Sequence, residues 1–126
     1  MHLDLLSGGA AKGLVDTMQA AFTASTGCAL RATFSAVGVM QQKLLAGEPC
    51  DVVILTAALI EALARDHHVV AETGVTLGAV PTGFDLATVY SAAVCTRAHE
   101  GALARRFVQL LASSDAAAAR ARAGFE

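Results

Sequence analysis

A basic excess is missing from this sequence. Nine Lys and Arg against eleven Asp and Glu leave a net charge of −2 over 126 residues. That balance argues against a nucleic-acid binder, because phosphate recognition draws on a surplus of cations. Long apolar runs are missing as well: no stretch approaches the ~18 consecutive apolar residues of a membrane span, so no membrane insertion is expected. The opening Met1-His2-Leu3-Asp4 has no basic segment followed by an apolar stretch and a cleavage site. By that criterion alone the chain carries no signal peptide and reads as cytoplasmic. Disorder is excluded by a hydrophobic fraction of 55%, too high for a chain that cannot form a core. The expectation is a soluble globular domain, rich in alanine (28 residues) and long enough for one core and no second one.

Cysteine is scarce. The three cysteines, Cys28, Cys50 and Cys95, make an odd number with no Cys-x-x-Cys spacing, which argues against a disulfide framework. Each adjoins an apolar run, as expected of small core fillers at strand edges. A reactive thiol needs a cationic neighbour, and in sequence only Cys95 has one, Arg97.

What is present is an alternation of strand and helix. His2 to Leu6 reads as a short strand closed by Ser7-Gly8-Gly9. Leu14, Val15, Met18 and Phe22 recur at helical spacing from Ala10 to about Ser25, and Gly27 stops that helix. Cys28 to Phe34 alternates as a second strand, and Val37, Met40, Leu44 and Leu45 mark a helix ending at Gly47. Asp51 to Leu55 is a continuous apolar strand of the kind covered on both faces. Thr56 is placed to cap a third helix carrying Leu59, Ile60 and Leu63 and ending near Asp66. This β-α-β-α-β-α order predicts a parallel sheet between two layers of helices. The second half differs. Val75–Val80 and Leu86–Thr96 are both strand-like, yet only Pro81 to Asp85 separates them. So short a link holds no crossover helix and requires an antiparallel hairpin. Helices from about Glu100 to Ala112 and from Asp115 complete a three-layer α/β fold around one five-stranded mixed sheet, mostly parallel with a single antiparallel strand.

Ligands of such sheets bind beyond the carboxyl ends of the strands, where helix N-termini present free N–H groups. Three loops qualify: Ser7-Gly8-Gly9-Ala10-Ala11, Ser35-Ala36-Val37-Gly38 and Thr56-Ala57-Ala58. Their small residues admit a ligand to the backbone, and each helix start offers about half a positive charge, so a small anion is the natural guest. Tight βα turns also select Gly and Ser for geometry alone. Other chemistries fit poorly. A phosphate-cradling loop needs Gly-Lys-Ser/Thr, whereas Lys12 precedes Gly13; Gly-x-Gly-x-x-Gly fails because Gly8 is followed two positions later by Ala10. His67-His68 reads as a solvated helix end, with no ligand spacing for a metal around it. Ser7, Ser35 and Asp51 lack the Gly-x-Ser-x-Gly turn of a hydrolase. Arg97, Arg105, Arg106, Arg120 and Arg122 read as solvated helix faces. No catalytic residue, metal site or cofactor is expected. A small flavodoxin-like flavin- or nucleotide-binding domain using Ser7 to Gly13 is the alternative, and a ligand-free scaffold a third reading.

The loops also carry a resemblance. Ser7-Gly8-Gly9-Ala10-Ala11-Lys12-Gly13-Leu14, Phe34-Ser35-Ala36-Val37-Gly38-Val39-Met40 and Gly47-Glu48-Pro49-Cys50-Asp51-Val52-Val53-Ile54 resemble segments of the molybdate-binding solute receptors of ABC importers. So do Val89-Tyr90-Ser91-Ala92-Ala93-Val94, Ala104-Arg105-Arg106-Phe107-Val108 and Gly124-Phe125. The resemblance implies a type II periplasmic-binding-protein fold: two α/β lobes, joined by two hinge strands, with an oxyanion in the cleft. The family's second lobe lies between those strands, where this sequence has only residues 81–85. It therefore implies a single lobe, with 1–80 as first segment, 81–85 as a turn in place of the second lobe and 86–126 returning, either engineered or natural. The expected binding residues are Ser7, Gly8, Gly9, Ala10, Ser35, Ala36, Val37, Gly38 and Thr56. In molybdate binders the first two loops each supply a serine hydroxyl. The matching positions here are Gly9 and Val37, with Ser7 and Ser35 out of register, so backbone amides of Gly9, Ala10, Val37 and Gly38 are left as donors. The family's tyrosine ligand belongs to the second lobe, and Tyr90 matches a hinge-strand position. The resemblance further implies a periplasmic location. From the missing lobe it follows that an anion is expected to bind weakly, and that the uncovered inter-lobe face is available for pairing with a second copy in a homodimer.

Overall fold

The computed structural model describes residues 1–83 and 86–126. Strands β1 (His2–Gly8), β2 (Ala29–Ser35) and β3 (Val52–Thr56) run parallel. Strands β4 (Val75–Gly83) and β5 (Leu86–Val94) pair as an antiparallel ribbon. All five join one sheet in the order β2-β1-β3-β5-β4, with β5 antiparallel to both of its neighbours. The expected three-layer α/β fold, a mostly parallel sheet with one opposed strand, is the one observed. A flavodoxin-like domain would instead continue with parallel strands in the order 2-1-3-4-5. The opposed β5 removes that alternative as a description of the fold.

Among the described residues five α-helices cover the sheet: α1 (Lys12–Thr26), α2 (Val37–Leu45), α3 (Ala57–Arg65), α4 (Gly101–Ala112) and α5 (Ala117–Arg122). α1 turns Leu14, Val15, Met18 and Phe22 inward and stops at Gly27, whose φ of 72° closes the helix in the left-handed conformation. α4 supplies Ala104, Phe107, Val108 and Leu111 to the same layer, where Phe22 and Phe107 meet edge to face with centroids 5.0 Å apart. Side chains alternate across the sheet. Leu3, Leu5, Val52 and Ile54 face the layer containing α1, α4 and α5; Leu6, Val53 and Leu55 face Met40, Ile60 and Leu63 of α2 and α3. Two apolar layers explain why β3 is a continuous apolar run rather than an alternating one.

Three strand boundaries differ from expectation by two residues or more. β1 runs two residues beyond Leu6, so Ser7 and Gly8 are strand residues opposite Phe34 and Ser35 of β2. β4 runs through Pro81 to Gly83, because it is an edge strand and proline's missing N–H is tolerated there. β5 stops at Val94, and Cys95 makes only an isolated bridge to Val69. Phe84 and Asp85 of the expected turn lie outside the described residues.

Asp51 explains how the two halves are fastened. Its buried carboxylate accepts the Asp4 N–H at 2.7 Å on Oδ2, and the His99 and Glu100 N–H groups at 2.7 and 3.2 Å on Oδ1. It ties the start of β3 to β1 and to the segment leading into α4. This is a structural role, and it accounts for the aspartate without any hydrolytic chemistry.

Candidate functional site

The sheet register brings the three loops together. Gly8 lies opposite Ser35, Ser7 opposite Ile54, and Thr56 opposite Tyr90. The ends of β1, β2, β3 and the middle of β5 therefore share one rim. From it the chain turns into helices: through a single tight turn, Gly9–Ala11, into α1, through Ala36 into α2, and through Thr56 into α3.

The electrostatics of that rim follow from the helix starts. None of α1, α2 and α3 has an acidic residue in its first turn. α2 opens without a side-chain cap, which leaves the first-turn amides, Val37 and Gly38 among them, without intrahelical acceptors. In α3 the Thr56 hydroxyl oxygen accepts the Leu59 N–H at 3.4 Å, so that hydroxyl serves as cap. The rim combines uncompensated positive helix ends with neutral donors, a setting that favours a small anion. The nearby Lys12 ammonium is engaged with the Asp16 carboxylate at 2.7 Å and stands 5.5 Å over the Phe34 ring.

The expected residues divide into two groups. Ser7 is fully buried, and its hydroxyl donates to the Gly8 carbonyl at 2.8 Å. Its position inside β1 makes it a framework residue. Gly9, Ser35, Ala36 and Gly38 are exposed at the rim, with Ala10, Val37 and Thr56 half-buried beside them. Gly8 is buried beneath: a Cβ there would sit 2.7 Å from Val37 Cγ1, 3.4 Å from Tyr90 Cε1 and 3.8 Å from the Ile54 carbonyl oxygen. Val37 and Tyr90 thus both close in on Gly8. Tyr90 was not among the expected binding residues. Its ring, set edge-on to Phe125 with centroids 5.9 Å apart, reaches the rim only through the β3–β5 register, which local sequence does not encode.

Away from the rim, His67 and His68 are exposed at the end of α3, with His67 in the left-handed region at φ 62°. Among the described residues no group of three or more His, Cys, Asp or Glu has metal-binding geometry. Arg105 pairs with Glu72 at 3.2 Å on the surface. Arg120 corrects the expectation of a solvated face: half-buried, it donates to the Leu111 and Ser113 carbonyls at 2.8 and 2.7 Å and closes the end of α4.

The family model for bacterial extracellular solute-binding proteins matches residues 3–84. The chain belongs to this family. As a solute-binding protein it has a fold found in structures of low sequence identity. The substrate-binding domain of a putative molybdenum ABC transporter from Clostridium difficile is 11% identical, with a TM-score of 0.85, over 99% of this chain and 98% of that one. The periplasmic molybdate-binding protein of Azotobacter vinelandii is also 11% identical, with a TM-score of 0.85, over 98% of each chain. The sulfate-binding protein of Mycobacterium tuberculosis is 12% identical, with a TM-score of 0.78, over 99% of this chain and 86% of that one. No curated protein matches the sequence. At these identities the likeness is one of fold.

Proposed function

We propose that this solute-binding protein is a single lobe of an oxyanion receptor of the ABC-importer type, acting by binding and not by catalysis. The carrying observation is the rim itself: helix starts free of acidic residues, arranged around the buried Gly8. The fold likeness to proteins described as binding molybdate and sulfate supports the same reading. In it, Gly9, Ala10, Val37 and Gly38 offer backbone amides, while Ser35, Ala36 and Thr56 line the rim and Ser7 and Gly8 support it. Residues 1–80 and 86–126 make up the lobe, and 81–85 stand where a second lobe would be inserted between hinge strands.

One lobe gives an anion half a coordination shell and leaves the rest to water. Losing about 4 kcal/mol turns micromolar affinity into roughly millimolar. Binding to this chain is therefore weak. The test is a titration of the labelled protein with molybdate and with sulfate, followed through amide chemical shifts. Saturable shifts confined to Gly9, Ala10, Val37 and Gly38, with a Kd of roughly 1 mM, are expected. Low-micromolar affinity refutes the half-shell argument, and unmoved amides at saturating anion refute the site. The same reading leaves the inter-lobe face uncovered and so open to self-association. Light scattering that reports only monomer at high concentration excludes it.

A further inference from the structure

At the opposite end of the sheet from the anion rim, a cavity of about 440 Å³ opens between residues 47–50, 66–68 and 95–97. Cys50 and Cys95 line it, together with His67, His68 and His99. The two thiols, 45 positions apart in sequence, are brought together by the β3–β5 pairing. Val52 lies opposite Val94, and the Asp51 carbonyl accepts the Cys95 N–H at 2.9 Å. This pairing sets Cys95 Sγ 3.0 Å from Cys50 Sγ, while the Cys50 thiol donates to the Val52 carbonyl at 3.1 Å. Both sulfurs are buried in the apolar layer beneath α2 and α3, whereas Cys28 lies in the other layer.

We propose that Cys50 and Cys95 form an oxidisable dithiol, which a small-molecule disulfide converts into an intramolecular bridge clamping the start of β3 to the end of β5. The cavity gives the oxidant its approach to two otherwise buried sulfurs. The Cys95 S–H is directed at Cys50 Sγ at 3.0 Å, which holds the Cys95 proton in place and leaves Cys50 as the attacking partner. Its thiolate displaces one thiol from the oxidant and forms a mixed disulfide. Cys95 then gives up its proton, attacks the Cys50 sulfur and displaces the second thiol. Two protein thiols are oxidised, one small disulfide is reduced to two thiols, and the two protons leave with those products. The family's extracellular setting is one in which such bridges persist.

The test uses the intact chain with oxidised glutathione under native conditions. Titratable thiols are expected to fall from the three free cysteines to Cys28 alone, with peptide mapping linking Cys50 to Cys95. The melting temperature should rise on the order of 10 °C, as expected when a loop of this length is closed, and dithiothreitol should reverse the rise. Cys28→Ser should behave as the parent does, and Cys95→Ser should trap glutathione on Cys50. Three thiols still titratable at equilibrium, a bridge between molecules, or a bridged chain that melts no higher than the reduced one would each overturn the proposal.

Discussion

Adding one methyl group at Gly8 probes the rim more directly than any change to its exposed residues. Gly8 has φ −58° and ψ 146°, a conformation open to every residue, so Gly8→Ala carries no backbone strain. It even gains about 0.4–1 kcal/mol from a less flexible unfolded chain. Packing opposes that gain. The new Cβ would stand 2.7 Å from Val37 Cγ1 and 3.4 Å from the Tyr90 ring, and Val37 is β-branched and stiff at χ1. Forcing a methylene-sized group into such a contact costs about 1–3 kcal/mol, so net destabilisation of about 0.5–2 kcal/mol is expected. The source of the cost is identified by a double-mutant cycle. Val37→Ala removes the opposing methyls, and the Gly8→Ala/Val37→Ala protein should recover about 1 kcal/mol relative to additivity. Urea unfolding at unchanged m-value measures each term. A Gly8→Ala protein as stable as the parent, or additive behaviour in the cycle, refutes the placement of Val37 over Gly8 on which the site rests.

Two further outcomes follow from the same geometry. Replacing Gly9 and Val37 together by serine supplies hydroxyls at the two loop positions that lack them, and oxyanion affinity should rise about tenfold, or about 1.4 kcal/mol; an unchanged Kd in the amide-shift titration contradicts the assignment of these loops. Asp51→Ala strips the acceptor from three backbone N–H groups and should cost about 3 kcal/mol or more, with Asp51→Asn intermediate; a loss below about 0.5 kcal/mol in urea unfolding would show that the carboxylate does not fasten α4 to the sheet.

Much of the fold was legible because its signals are local. The helical spacing of Leu14, Met18 and Phe22, the unbroken Asp51–Leu55 run and the short gap after Val80 each specify an element or a connection without reference to the rest of the chain. The boundaries that differed depend on neighbours. Ser7 and Gly8 are strand residues because Phe34 and Ser35 lie beside them, and Pro81 stays in β4 because that strand is at the edge. The rim was legible as three loops, but its geometry was not. Tyr90 over Gly8, the Asp51 tether and the Cys50–Cys95 contact all arise from register between segments distant in sequence. No spacing along one strand encodes such a register.

The β4–β5 ribbon is held to the rest of the sheet over only part of its length. Leu86 to Val89 pair with β4 alone, since β5 meets β3 only from Tyr90 onward. Between Gly78 and Tyr90, no residue whose side chain is described belongs to the buried set of either core layer. Material spliced into the distal part of the ribbon would therefore be tethered by two stems already registered against each other, and the layers below would keep their packing. On the single-lobe reading proposed above, gain or loss of a whole module at that point is a matter of chain connectivity, separable from the folding of the part that carries the rim.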